Sequence, residues 1–205
     1  MAGETNVTRH HLIISGTGRA GTTFLVQLLT KLGLDTGLTD PGAEIFSNCN
    51  AGMELDIREP DAPYIIKSPW LCDDLDEILE TGDVVVDHAI IPVRDLYAAA
   101  ESRRDVVRRT DPATLAPDTI AGGLWHTVEP SQQEAILTLQ LYKLLVALAK
   151  HSTPTTFIWF PRLVHDPEYL FERLRCVLAD INYPTFEAAF RAVSRPELVH
   201  DFGSG

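Results

Sequence analysis

Residues 16–23 have the types and spacing of a loop that binds phosphate. Three glycines allow backbone dihedrals that turn consecutive amides toward one anion. A helix predicted to begin at the end of this segment adds the positive end of its dipole. One arginine supplies a cation, and two threonine hydroxyls can bind anionic oxygens. We therefore expect a phosphate-rich nucleotide here. The predicted binding residues are Gly16, Thr17, Gly18, Arg19, Ala20, Gly21, Thr22 and Thr23.

The loop differs from a standard nucleotide-triphosphate loop at one functional position. Both have the frame GxxxxG, but the standard loop continues with Lys and then Ser or Thr. Here Thr22 stands in the Lys position, and the cation lies three residues earlier, at Arg19. This departure disfavours ordinary hydrolysis of ATP or GTP. The alternative is a glycine-rich turn that only joins a strand to a helix.

A second pair of residues has the chemistry of an anion site. Arg94 follows the apolar run Ile-Ile-Pro-Val, so it is expected at the carboxyl edge of a sheet, where α/β proteins bind ligands. Ser102 comes eight residues later, about two helical turns on, and faces the same side. A guanidinium and a hydroxyl there could contact one phosphate. The alternative for Arg94 is a structural ion pair.

The elements that must position these residues alternate between strands and helices. Apolar runs predict strands at 11–15, 64–67, 84–86, 89–93 and 155–160. Helical spacing predicts helices at 23–31, 71–80, 95–109, 132–150, 168–179 and 185–193, of which 132–150 is amphipathic. The alternation predicts an α/β fold, a mostly parallel sheet with helices on both faces.

The remaining segments are predicted to be irregular. Residues 34–61 are rich in Gly, Asp, Asn and Pro, which predicts a long surface excursion with at most one short helix. Residues 111–130 show no clear period and predict a loop or lid. We expect one domain over 1–205, with a possible insert around 111–130.

Charge and composition limit the partners of the chain. A net charge of −12 over 205 residues disfavours nucleic acid and anionic membranes, so a polyanionic ligand requires locally concentrated cations. Three cysteines without a CxxC pair predict neither a disulfide framework nor a zinc site. The sequence has no apolar run of membrane-spanning length. We expect a cytoplasmic protein.

Three segments together resemble the P-loop sulfotransferases, which use 3′-phosphoadenosine 5′-phosphosulfate (PAPS). GTGRAGTTFL at 16–25 is similar to the family's 5′-phosphosulfate loop, in which Lys or Arg comes early and the usual Lys is missing. VRDLYAAAES at 93–102 resembles its 3′-phosphate motif, with Arg and Ser at the same separation. FPRLVHDPEYLFERLRCVL at 160–178 is similar to a loop and helix late in these proteins. The resemblance implies a P-loop NTPase-like fold and a metal-free reaction that yields adenosine 3′,5′-bisphosphate.

The resemblance also implies roles for individual residues. Arg19 and Thr22 would hold the 5′-phosphate and the sulfonate, and Thr23 would complete that loop. Arg94 and Ser102 would hold the 3′-phosphate.

The catalytic candidates implied by the resemblance are Arg19, Lys67 and Glu44. Lys67 ends the run YIIK and matches a lysine that stabilises the leaving group. The His that many members place soon after it is absent, so Glu44, in the loop after the first helix, is the candidate base. For each, an ordinary surface side chain is the alternative. The Gly- and Lys-rich segment that often closes on the 3′-phosphate has no counterpart in 195–205.

Three aromatic residues are weaker candidates for ligand contacts. Trp70 is a candidate to pack on adenine, although the sequence favours an ordinary core or surface position for it. Trp125 and His126 lie in the predicted lid, where they could touch an acceptor.

The sequence therefore predicts transfer of a sulfonyl group from PAPS to a hydroxyl or amine of a small molecule or glycan. One alternative is a P-loop kinase that uses Mg-ATP on a small molecule, with Thr23 as a metal ligand. The other is a catalytically degenerate nucleotide-binding protein. No segment identifies the acceptor or the oligomeric state.

Overall fold

The computed structural model describes residues 8–42, 45–46, 49, 51–110, 116–200 and 202. Strands and helices alternate along these residues, as the hydrophobic pattern predicts. The strands are β1 (Arg9–Ile14), β2 (Ile45–Phe46), β3 (Ala51–Gly52), β4 (Ile65–Lys67), β5 (Val84–Val93) and β6 (Thr155–Trp159). The helices are α1 (Thr22–Lys31), α2 (Leu71–Glu80), α3 (Leu96–Arg109), α4 (Gln133–Lys150), α5 (Arg162–His165), α6 (Pro167–Leu178) and α7 (Tyr183–Val193), with 3-10 turns at Pro130–Gln132 and Pro196–Leu198.

Four parallel strands form the main sheet in the order β4-β1-β5-β6. The predicted α/β class with a parallel sheet is therefore confirmed. Because the strands are parallel, their carboxyl ends lie at one edge, and the segments that follow β1, β4, β5 and β6 meet there. This edge carries the candidate site.

Alternate residues of β1 supply two separate apolar cores. Leu12 and Ile14 pack in a cluster with residues of α1, α6 and α7, including the fully buried Phe186. Ile13 packs in the other cluster with residues of α2 and α4, such as Leu75 and Leu144. Helices therefore cover both faces of the sheet and hold the carboxyl end of β1 between them.

The predicted strands 84–86 and 89–93 are one strand, β5. The pairing of β1 with β5 shifts at Asp87, because His11 pairs with Val86 while Leu12 pairs with His88. Asp87 is thus an extra residue at a β-bulge. The polar pair at 87–88 interrupts the apolar pattern but not the backbone.

The segment 34–61 contributes to the interior, contrary to the expected surface excursion. Met53 and Ile57 are buried in the two cores. The described residues of this segment form the antiparallel pair β2–β3 and no helix. Residues 116–129 contain only turns and bends, as expected of a loop, and the single-domain assignment stays a prediction. None of the helices in the described ranges has the length and apolar character that crossing a bilayer requires.

Candidate functional site

The glycine-rich loop connects the end of β1 to the start of α1. Its backbone takes positive φ at Gly16 (133°), Gly18 (67°), Arg19 (56°) and Gly21 (84°). Such dihedrals are easy for glycine and unusual for other residues. Gly21 is the N-cap of α1, and no side chain caps that helix start. The first-turn amides of α1 therefore stay available to another acceptor.

Three side chains behind the loop hold its carbonyl oxygens. The Cys72 thiol donates to the Gly16 carbonyl at 3.5 Å, and burial raises the pKa of this thiol to about 11, so it stays protonated. Arg103 Nη2 donates to the Thr17 carbonyl at 2.6 Å. Arg94 Nη1 donates to the Arg19 carbonyl at 2.9 Å.

These carbonyl contacts orient the amides of the loop. In a trans peptide the carbonyl and the following amide point in opposite directions, so the amides after the three bound carbonyls face away from those donors. No backbone amide of residues 16–23 donates a hydrogen bond to another residue that the structure describes. A row of unpaired amides at a helix start is the arrangement that binds anions.

A cavity of about 340 Å³ opens beside the loop and the start of α1. We call it the arginine cavity, because Arg19, Arg94, Arg109 and Arg195 line it. No Asp or Glu among the described residues lines it. Arg109 pairs with Asp105, which does not itself line the cavity, so in a chain of net charge −12 the four guanidinium groups still make an anion-attracting site.

The two predicted anion-binding segments meet in the arginine cavity. Thr22 and Thr23 line it from the loop, and Arg94 and Ser102 line it from β5 and α3. Ser102 Oγ, however, accepts from Arg19 Nε at 3.1 Å, whereas Arg94 donates to the carbonyls of Arg19 and His200. Ser102 therefore positions the Arg19 guanidinium, which also donates to the Cys49 carbonyl at 2.6 Å.

The C-terminal segment closes one side of the arginine cavity. Arg94 Nη2 donates to the His200 carbonyl at 2.8 Å, and the guanidinium stacks over the rings of Phe160 and Phe202 at 4.7 and 5.7 Å. Arg195 and His200 both line the cavity. A tail without the expected Gly- and Lys-rich pattern thus reaches the predicted 3′-phosphate arginine.

A second cavity, of about 400 Å³, also adjoins the loop. We call it the tryptophan cavity, because Trp70 and Trp125 line it. Arg19 and Thr22 line both cavities, so the two spaces adjoin at the loop. Trp125 and His126 of the predicted lid line this cavity. Trp70 lines this cavity and not the arginine cavity, and its packing on adenine stays a prediction.

Lys67 lies between the loop and the tryptophan cavity. It is 3% exposed, and its Nζ donates to Thr23 Oγ1 at 3.1 Å and to the Gly52 carbonyl. Its Nζ also pairs with Glu54 Oε1 at 2.5 Å. Burial lowers the pKa of Lys67, and the Glu54 carboxylate opposes that shift.

Glu54 is a candidate that the sequence did not reveal. Its side chain is 20% exposed and lines the tryptophan cavity, and its Oε2 has no hydrogen-bond partner among the described residues. No motif marks it, since its partner Lys67 is 13 residues away. Glu44, the predicted base, lies outside the described residues and stays a prediction.

Arg103 and Arg109 are also additions to the predicted site, and both lie on α3. Arg103 is buried, stacks over Trp125 at 4.8 Å and donates to the Gly123 carbonyl at 2.9 Å. Burial lowers the pKa of Arg103 to about 9, so the group stays charged at neutral pH. Neither residue belongs to a motif, and the signal that could have found them is the concentration of five arginines within residues 94–109.

The fold and the site define an α/β protein with a cation-lined, glycine-rich loop at the carboxyl edge of a parallel sheet. No protein-family model, no curated protein and no solved structure matches the chain.

Proposed function

We propose that this protein is a PAPS-dependent sulfotransferase with a P-loop NTPase-like sheet. The observation that carries the proposal is the meeting of two cavities at Arg19 and Thr22, one lined by four arginines and the other by Lys67 and Glu54. A group-transfer enzyme requires such a pair of adjoining sites, one for the donor and one for the acceptor. Both volumes, about 340 and about 400 Å³, lie within the range of small-molecule sites.

The arginine cavity suits a nucleotide with two separated phosphates. The unpaired amides of 16–23 and the start of α1 would bind the 5′-phosphate end, together with Arg19. Arg94 would bind the 3′-phosphate across the cavity, with Ser102 in support through Arg19. The absence of carboxylates among the described lining residues removes the main source of repulsion for such a ligand.

The residues between the cavities have the chemistry that sulfonyl transfer needs. PAPS supplies an activated sulfonyl group, whose S–O bond to the 5′-phosphate breaks as its bond to the acceptor oxygen or nitrogen forms. Lys67, whose ammonium donates to Thr23 Oγ1, would neutralise the negative charge on the oxygen that leaves with the bisphosphate. Glu54 would take the proton of the acceptor through Oε2, because its other oxygen is held by Lys67 and the side chain lines the tryptophan cavity.

The contacts of Thr23 disfavour the kinase alternative. In that alternative the Thr23 hydroxyl would bind magnesium, but here Thr23 Oγ1 accepts from the Lys67 ammonium at 3.1 Å. A magnesium ion at this oxygen would have to displace a cation of the protein. The sulfonyl-transfer proposal uses the same ammonium without rearrangement.

Isothermal titration tests the nucleotide part of the proposal. We expect adenosine 3′,5′-bisphosphate to bind at least about tenfold more tightly than 5′-AMP, because only the bisphosphate engages Arg94. Arg94→Met should weaken the bisphosphate about 10- to 100-fold, the loss of one charged hydrogen bond, and leave AMP affinity nearly unchanged.

Arg175→Met is the matched control, since Arg175 is an exposed α6 arginine paired with Glu172, away from both cavities. Equal affinity of the wild-type protein for AMP and the bisphosphate would contradict the 3′-phosphate role. Tighter, magnesium-dependent binding of ATP would instead support the kinase.

A further inference from the structure

Helix α4 is apolar on two opposite faces. Its inner face is buried: Leu137 packs against α3, and Leu144 packs in the core cluster between α2 and the sheet. Its outer face is also apolar, in contrast to the amphipathic helix that the sequence predicts: Leu139, Tyr142 and Val146 are 55%, 65% and 46% exposed. Exposed apolar side chains gathered on one helix face mark an interaction surface.

The exposed apolar residues of α4 form one stripe. Its members lie alternately four and three residues apart, the spacing of a helix-pairing seam. They are Ala135, Leu139, Tyr142, Val146 and Ala149. We call this set the α4 stripe.

The α4 stripe is almost a palindrome about Tyr142. Small residues stand at both ends, branched aliphatic residues come next, and the tyrosine is central. An antiparallel copy of the helix, related by a twofold axis at Tyr142, would set Leu139 against Val146 of the other copy and Ala135 against Ala149. A twofold dimer uses the same patch on both subunits, so a self-complementary patch is what it requires.

We propose that the α4 stripe is the interface of a homodimer in which two α4 helices pack antiparallel. The near-palindromic order of the α4 stripe supports a second copy as the occupant, because a copy of the same helix presents the matching series of side chains. The charges at the helix ends are already paired within the chain, Glu134 with Arg104 and Lys150 with Asp76 and Glu80, so the contact between the two helices is apolar. Antiparallel packing also opposes the two helix dipoles. This inference does not depend on the proposed sulfotransferase activity.

The dimer is weak, because the interface is confined to one helix. α4 has 18 residues and is about 27 Å long. Such a contact is smaller than a standard interface of about 800 Å² per partner, so we expect dissociation in the range of about 10–100 µM. The protein would then be monomeric when dilute and dimeric when concentrated.

Sedimentation velocity of the full chain from about 5 to about 500 µM tests the proposal. We expect a concentration-dependent shift from the 22.7 kDa monomer toward twice that mass. Leu139→Glu and Val146→Lys should each weaken dimerisation more than tenfold, because each places a charge against an apolar residue of the partner. The double variant should recover the dimer, because antiparallel pairing sets each Glu against a Lys.

Leu198→Glu is the matched control, since Leu198 is 47% exposed and lies outside α4, in the last 3-10 turn. It should leave the mass distribution unchanged. Circular dichroism of every variant checks that the fold is retained. A chain that stays monomeric throughout the range overturns the proposal, and so does a dimer that survives both single changes. A double variant that stays dissociated while both singles are folded overturns the antiparallel register.

Discussion

Gly18→Ala is expected to destabilise the protein through Arg103. Gly18 has φ of 67°, which costs an alanine about 1 kcal/mol relative to glycine. A Cβ at Gly18 would also lie 2.7 Å from Arg103 Nη2, too close for any real contact. Arg103 is buried and cannot swing into solvent, so it must move off the Thr17 carbonyl. Losing a hydrogen bond from a charged donor costs about 1.5–3 kcal/mol.

Gly33→Ala supplies the matched control for this prediction. Gly33 has φ of 78°, but no atom lies within 4 Å of a Cβ built there. Its substitution carries the backbone cost of about 1 kcal/mol without a collision. We therefore expect Gly18→Ala to cost about 2.5–4 kcal/mol in total, roughly 2 kcal/mol more than Gly33→Ala.

Urea unfolding of the ligand-free variants at neutral pH measures both costs. An Arg103→Met background refines the test, because methionine can yield to the new methyl group. There, Gly18→Ala should cost no more than Gly33→Ala does, and the difference is the coupling between Gly18 and Arg103. Equal costs of the two glycine substitutions in the wild-type background would refute the claim that Arg103 supports the loop from behind.

Two further predictions concern the cavities. Glu54→Gln should lower turnover about 100-fold or more on the acceptor that the wild-type protein uses, and it should change bisphosphate affinity less than about twofold. The control Glu172→Gln, at an exposed residue, should change neither quantity. Unaltered turnover of Glu54→Gln would show that Glu54 is not the base. Truncation after Val199 deletes the His200 carbonyl and the Phe202 ring, both of which contact Arg94. Titration calorimetry should then show bisphosphate binding about 3- to 10-fold more tightly, because Arg94 is released for the ligand. Weaker binding would mean that the tail holds the ligand instead.

The sequence predicts those parts of the fold that depend on local pattern. The runs at 11–15 and 155–160 correspond to β1 and β6. β1 is buried between two neighbouring strands and therefore reads as a continuous apolar run. The predicted burial of the second run is wrong, because β6 is the edge strand and exposes Phe157 and Trp159. The loop at 16–23 is equally local, since its three glycines provide the positive φ values that the turn needs. The bulge at Asp87 escapes this reasoning, because a bulge changes the pairing of two strands without ending either one.

The rest of the candidate site could not be predicted because its contacts join distant segments. Glu54 pairs with Lys67 at the wall of the tryptophan cavity, and no sequence motif links the two residues. Arg103 follows Ser102 directly, yet its side chain supports the loop while Ser102 faces the arginine cavity. The outer face of α4 is a similar case, since periodicity reveals an apolar face but not whether a partner covers it.

The arginines of the arginine cavity differ from most other surface cations in their surroundings. Many cations elsewhere on the surface stand beside carboxylates, as Arg58 does with Asp56 and Lys150 with Asp76 and Glu80. In the cavity, burial lowers the pKa of Arg19, and the nearby charge of Arg109 lowers it further, although Arg109 also pairs with Asp105.

Gathering guanidinium groups in this way costs stability through desolvation and mutual repulsion. A bound polyanion relieves both terms at once, because it neutralises the cations and accepts the unpaired loop amides. The ligand-free protein is therefore expected to gain stability on binding a bisphosphate in proportion to its occupancy, as linkage requires. The hydrogen bonds of Arg19 and Arg94 to backbone carbonyls offset part of this cost, and the anionic ligand proposed above would offset the rest.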